Sequence, residues 1–250
     1  MKQELMYITC SGANEFTDIA GMVSLSMKYP LIEWGIQVSG KKCSQGTPRW
    51  NWIHELHRYL QEKNQAISLA LHMNVDWVEN FTRDEQLIPE VQKLLELKDV
   101  DEEPFFQRIQ LNFKLGRELM PLEHILIPRL REYEEKRYFI FSYNDKNAKF
   151  IHHLYAKGLR DFDVLFDSSH GEGASASTWQ QPAFYDEGIL QGYAGGLSPE
   201  NVTEEVAKIR EVVGDRAFCI DAEGNLKGED KHLSLAKCEQ YVTNALKAMM

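Results

Sequence analysis

Cys10, Asp167, Asp221 and Glu223 carry the side chains of this chain best suited to proton transfer or nucleophilic chemistry. Cys10 closes the apolar run Met6–Cys10. Asp167 closes Val164–Asp167, where a carboxylate is costly to bury without purpose. Asp221 and Glu223 end and follow the run Ala217–Asp221. With His72, Asp76 and His170 they could instead offer imidazole and carboxylate ligands to zinc or manganese, although no HExxH or other fixed spacing joins them. The plainer readings are a small buried thiol at Cys10 and local capping by the carboxylates.

Gly195-Gly196 is a second kind of signal. Adjacent glycines let a ligand approach the main chain, and the N-terminus of the following helix favours an anion such as phosphate. Ser198 suits that helix's N-cap and Pro199 its first position. Val202, Val206, Ile209 and Val213 then recur at helical spacing, and Gly214 marks the end. A tight strand-to-helix turn would need the same glycines.

Eight short apolar runs could position these groups: Met6–Cys10, Leu31–Val38, Ala66–Met73, Arg108–Asn112, Tyr138–Phe141, Val164–Asp167, Leu190–Tyr193 and Ala217–Asp221. Several are continuously apolar, as strands of a parallel sheet covered on both faces are. Helical patterns fall between them, over Asp18–Met27, Trp50–Glu62, Glu85–Leu97, Pro121–Lys136 and Lys146–Lys157, with a last one over Leu233–Ala248. Eight such units in 250 residues predict an α/β chain forming one (β/α)₈ TIM barrel over residues 1–250. A doubly wound open sheet is the competitor, but no GxGxxG follows the first strand. In a barrel the strand ends form the site. They offer Cys10, Lys41, Lys42, His72–Asp76, Asn112, Lys114, Tyr143–Asp145, Asp167–His170, Gly195, Gly196, Asp221 and Glu223. The tract Gly171–Ser177 is expected to be a mobile loop.

A net charge of −10 argues against non-specific nucleic-acid binding, and no run approaches the length of a membrane span. The first residues contain no secretory apolar segment, and the four cysteines are scattered without a CxxC pair. Both features predict a cytoplasmic protein with reduced thiols, a monomer or homodimer.

Four segments resemble the phosphoribosylanthranilate isomerase family. YITCSG is similar to its first strand, RIQLNF to its fourth, FDVLFDSSHGEGAS to its sixth with the loop beyond, and YAGGLSPENV to its LAGGLNPENV. The resemblance covers most of the chain in order. It implies a cofactor-free Amadori rearrangement of N-(5′-phosphoribosyl)anthranilate, as in tryptophan biosynthesis. Asp167 would be the general acid that opens the sugar ring and Cys10 the base that removes the C2 proton. Lys41 would meet the substrate carboxylate, and backbone at Gly195, Gly196 and Gly224 would meet the phosphate. The pattern departs from the family at three places. Ser39-Gly40-Lys41 has lysine where the family has arginine, which removes a bidentate fork. GEGAS replaces GGTG, and Ala222-Glu223 replaces a serine pair, so carboxylates lie where a phosphate would be repelled. Three readings therefore stand: this isomerase, a barrel acting on another phosphorylated sugar or through a metal, and a ligand-binding barrel without catalysis.

Overall fold

The computed structural model describes residues 5–112, 123–133, 138–167, 178–185 and 188–250. Eight strands close into a barrel in chain order: β1 (Leu5–Ala13), β2 (Ile32–Val38), β3 (Ser68–Met73), β4 (Arg108–Leu111), β5 (Tyr138–Tyr143), β6 (Phe162–Asp167), β7 (Gln191–Ala194) and β8 (Phe218–Ala222). Every neighbouring pair is parallel, including the closing pair β1–β8. The outer layer contains α1 (Ile19–Lys28), α2 (Gly40–Cys43), α3 (Pro48–Lys63), α4 (Asp76–Arg83), α5 (Pro89–Glu96), α6 (Glu123–Tyr133), α7 (Ala148–Ala156), α8 (Val202–Val213) and α9 (Leu235–Lys247). The expected (β/α)₈ barrel is the observed fold.

Side-chain caps fix the starts of three helices. Asp18 accepts from the Gly21 amide ahead of α1, Thr47 from Trp50 ahead of α3 with Pro48 in its first turn, and Ser234 from Lys237 ahead of α9. The helix read over Glu85–Leu97 is shorter than expected, because Pro89 disfavours helical backbone at Ile88 and the Asn80 side chain holds the Ile88 amide. Its place is shared with α4, which the periodicity did not reveal.

Side chains alternate between the helix layer and the lumen along each strand. On β2, Trp34 points outward and its indole donates to Ser26 of α1 at 2.8 Å, whereas Glu33 and Gln37 point inward. On β1 the inward residues are Tyr7, Thr9 and Ser11, and Ile8 and Cys10 pack outward. The pairing with β2 slips between Ser11 and Ala13, so Gly12, at φ +99°, is an extra residue in the strand.

The lumen is unusually polar at its floor. Arg108 of β4 donates to Glu33 at 2.9 Å and to Asp163 of β6 at 3.0 Å, with the Tyr7 ring 4.4 Å from the guanidinium. All three charged groups are buried, and Thr9 donates a further hydrogen bond to Glu33. Above them a small apolar layer of Ile140, Leu165 and Ala194 separates this network from the mouth on the β5–β7 side.

Candidate active site at the barrel mouth

Asp221 is the most chemically perturbed carboxylate of the mouth. It lies at the end of β8, partly open to the lumen, and accepts a 2.6 Å hydrogen bond from the Ser11 hydroxyl of the neighbouring β1. Burial pushes its pKa up to about 7, the Ser11 hydrogen bond works against that rise, and the nearby charges of Glu223, Glu33 and Asp167 add to it. A carboxyl titrating near neutrality can both give and take a proton.

Asp167 ends β6 one alternation beyond the inward-facing Asp163 and Leu165, so it turns toward the lumen, where its charge is felt by Asp221. Glu223 leans across the mouth from the β8 end. Its side chain lies against the Gly12 bulge of β1, where a Cβ would come into ordinary contact with its Cγ at 3.4 Å. Gln37 of β2 donates to one of its oxygens at 2.6 Å, and Lys227 contacts the other at 2.8 Å. The pairing turns the carboxylate toward β1 and β2. It also resolves the conflict read from the sequence, because Glu223 is neutralised by a partner instead of confronting an anion alone.

The expected phosphate side is built by two loops stitched together. Gly195 and Gly196 have φ of +111° and +70°, the left-handed backbone glycine allows. The Asn201 side chain donates to the Gly196 carbonyl at 2.9 Å and accepts from the Ser198 amide at 2.8 Å. The Ser198 hydroxyl accepts from the amides of Glu200 and Asn201 in a turn ahead of α8, which starts at Val202 with Asn201 at its N-cap, so Ser198 and Pro199 do not open the helix as the sequence predicted. From the other loop, a short 3₁₀ turn at Gly224–Leu226, the Asn225 side chain donates to the carbonyls of Gly196 and Leu197 at 3.2 and 3.1 Å. Gly224 is exposed, with open space where a side chain would lie.

The structure places Cys10 on the outer face of β1, completely buried against α9 beside Cys238. Burial first, and then that contact, push its thiol well above the ordinary value, the opposite of what a base requires. The inward residue beside it is Ser11. Lys41 is exposed on the short α2. Asp76 does not join a metal set, because its carboxylate accepts from the Gly40 amide at 3.1 Å. His72 faces the lumen below the mouth, 2% exposed, with Nε2 unpartnered, and burial lowers its pKa to about 3. Gly35 is the reason it fits: a Cβ there would approach within 2.5 Å of Ser11 Oγ and 2.6 Å of His72 Cε1. His170, Lys114 and the tract Gly171–Ser177 lie outside the described residues. Among the described residues no three His, Cys, Asp or Glu side chains converge to hold a metal. Ser11, Gln37 and Lys227 are site residues that the sequence did not single out; the alternation of β1, with Ser11 next to Cys10, was the available signal.

No family model matches the chain, and no curated protein sequence matches it. Solved structures do. A phosphoribosylanthranilate isomerase in complex with reduced 1-(o-carboxyphenylamino)-1-deoxyribulose 5-phosphate aligns at TM-score 0.54 and 14% identity, over 97% of this chain and 100% of its own. The dimeric enzyme of that name from Thermotoga maritima, studied as monomers, aligns at 0.54 and 15%, over 97% and 99%. A family 30 xylanase from Clostridium acetobutylicum reaches 0.53 at 9%, over 98% of this chain and 71% of that one. Isomerase and glycoside hydrolase align almost equally well, so these likenesses establish the barrel and leave the chemistry to the site. Among the described residues no helix is long and apolar enough to cross a membrane.

Proposed function

We propose that the chain is an acid–base isomerase of a phosphorylated, sugar-like substrate, with the Amadori rearrangement of phosphoribosylanthranilate as its leading reaction. The observation that carries this reading is the pair Asp221 and Asp167 on the lumen side of β8 and β6, with Asp221 held near neutrality. Two carboxyl groups whose surroundings differ divide acid and base roles between them. The expected assignment is therefore revised. Asp221, protonated in part at neutral pH, donates to the ring oxygen as the C1–O bond opens to the iminium. Asp167 takes the C2 proton to give the enolamine, and return of that proton to C1, with the C2 hydroxyl proton passing to the Asp221 carboxylate, gives the ketose and restores both groups. The phosphate is assigned to the backbone of Gly195, Gly196 and Gly224, where the left-handed glycines and the open space at Gly224 support it. Cys10 has a packing role.

Turnover of freshly generated phosphoribosylanthranilate, followed by its loss of fluorescence, tests the reading. Wild type should turn over, and Asp221→Asn and Asp167→Asn should each lose about 10²–10⁴-fold in kcat, the range of general acid–base contributions. Cys10→Ser should keep its rate. A folded Cys10→Ser variant without activity would reject the assignment. Absence of wild-type turnover would reject the isomerase. A ligand-binding barrel without chemistry is the second reading, favoured by the removal of the thiol from the lumen. It predicts that both Asn variants bind ligand as wild type does and that no sugar phosphate is converted.

A further inference from the structure

We propose that Lys227 is the cation with which the mouth holds an oxyanion of its ligand, the role expected from the sequence for Lys41. The inference rests on reading the mouth as a site for an anionic substrate.

The structure builds Lys227 into place from several directions. Its amide donates to the Gly224 carbonyl at 3.3 Å, its carbonyl accepts from Lys237 Nζ at 2.7 Å, and it pairs across a β-bridge with Leu233. Its ammonium meets Glu223 at 2.8 Å while the side chain remains 35% exposed. An ammonium has three donors. Glu223 occupies one of them, and the open side of the group leaves room for an entering oxyanion. Glu223 is itself held by Gln37 of β2, so the Lys227–Glu223 pair reaches from the β8 loop toward β2. The glycine cradle lies at the end of β7 and the start of the β8 loop, whose Gly224–Leu226 turn is closed by Lys227.

Other described cations near this rim are less suited. Lys41 and Lys42 are exposed on α2. Arg49 of α3 is buried, paired with Glu15 and donating to the Gln37 carbonyl at 2.7 Å. Arg108 is confined to the floor by Glu33 and Asp163. Lys227 also offsets the negative charge that Asp167, Asp221 and Glu223 would otherwise present to an anion.

The test uses the full chain, ¹⁵N-labelled, titrated at low ionic strength with two separate probes, inorganic phosphate and benzoate. Lys227→Ala and Lys227→Gln should each weaken at least one probe about tenfold or more, with unchanged thermal unfolding for the Gln variant. Glu223→Gln, which removes the competing carboxylate, should tighten the same probe severalfold, and that gain should disappear when Lys227→Gln is added, as it would not for a purely structural lysine. The probe affected identifies the oxyanion as a carboxylate or a phosphate. Wild-type affinity for both probes in Lys227→Gln, no binding of either to wild type, or a loss in Lys41→Ala in place of Lys227→Gln would overturn the proposal. Turnover measured on the same preparations separates the two readings. Lys227-dependent binding without turnover removes only the isomerase, and turnover with Lys227-independent binding removes only this inference.

Discussion

Replacing Ser11 with alanine should raise the pKa of Asp221 while leaving the barrel intact. The Ser11 hydroxyl is 2% exposed and donates to Asp221 Oδ1 at 2.6 Å, a hydrogen bond that favours the ionised carboxylate. A hydrogen bond to a charged group contributes about 1.5–3 kcal/mol, and 1.36 kcal/mol corresponds to one pKa unit, so its loss should move Asp221 upward by about 1–2 from its value of about 7. Serine to alanine removes one oxygen and leaves a void smaller than a methyl group, so packing changes little. Carboxyl ¹³C chemical shifts followed from pH 4 to 10, in wild type and Ser11→Ala, would report the change directly. If Asp221 is the acid of catalysis, the alkaline limb of the pH–rate profile should move with it. An Asp221 pKa equal in the two proteins to within 0.3, or one that falls in the variant, would refute the claim that this hydroxyl restrains the carboxyl (the threshold is about 0.4 kcal/mol).

Three other outcomes follow from the same lumen. Asp221 carries a raised pKa in the fold against an ordinary value of 3.8, so the native state holds a proton that the unfolded chain has released. Its stability is highest below about pH 4 and declines as pH rises toward about 7, by an upper bound of about 4 kcal/mol. Asp221→Asn should therefore gain more in Tm over wild type at pH 8 than at pH 4.5, and parallel pH dependences would sink this account. Arg108→Met should lose about 3–5 kcal/mol in urea unfolding, because Glu33 and Asp163 are left buried without a counter-charge. Adding Glu33→Gln and Asp163→Asn should recover part of that loss, and no recovery would mean that packing, not charge, dominates. Gly35→Ala should cost about 1–3 kcal/mol from the crowding of Ser11 and His72, and a wild-type melting curve would contradict it.

Most of the fold was legible because it rests on short-range patterns. Each of the eight apolar runs overlaps a strand, whereas α8 begins at Val202, later than the capping signal at Ser198 and Pro199 suggested. The site was harder, because its defining contacts join residues far apart in the chain: Ser11 reaches Asp221 and Gln37 reaches Glu223. Motif similarity located β1 but not the direction of its side chains, and a thiol one position from the lumen is on the wrong face. Glu223 read as an obstacle to phosphate because Lys227 and Gln37, its neutralising and orienting partners, carry no local signature. Arg108 read only as the first residue of a strand, although in three dimensions it anchors the barrel floor.

The outward packing of Cys10 has a consequence for reagents as well as for catalysis. Cys43, Cys219 and Cys238 are buried too, so all four thiols of the chain are shielded in the native state. Native protein should be nearly silent toward alkylating agents, and its mouth should tolerate oxidants that disable thiol enzymes. Labelling would then wait for the wall between β1 and α9, or the lumen around Cys219, to open. The alkylation rate of each cysteine thus becomes a clock for the breathing of one part of the barrel.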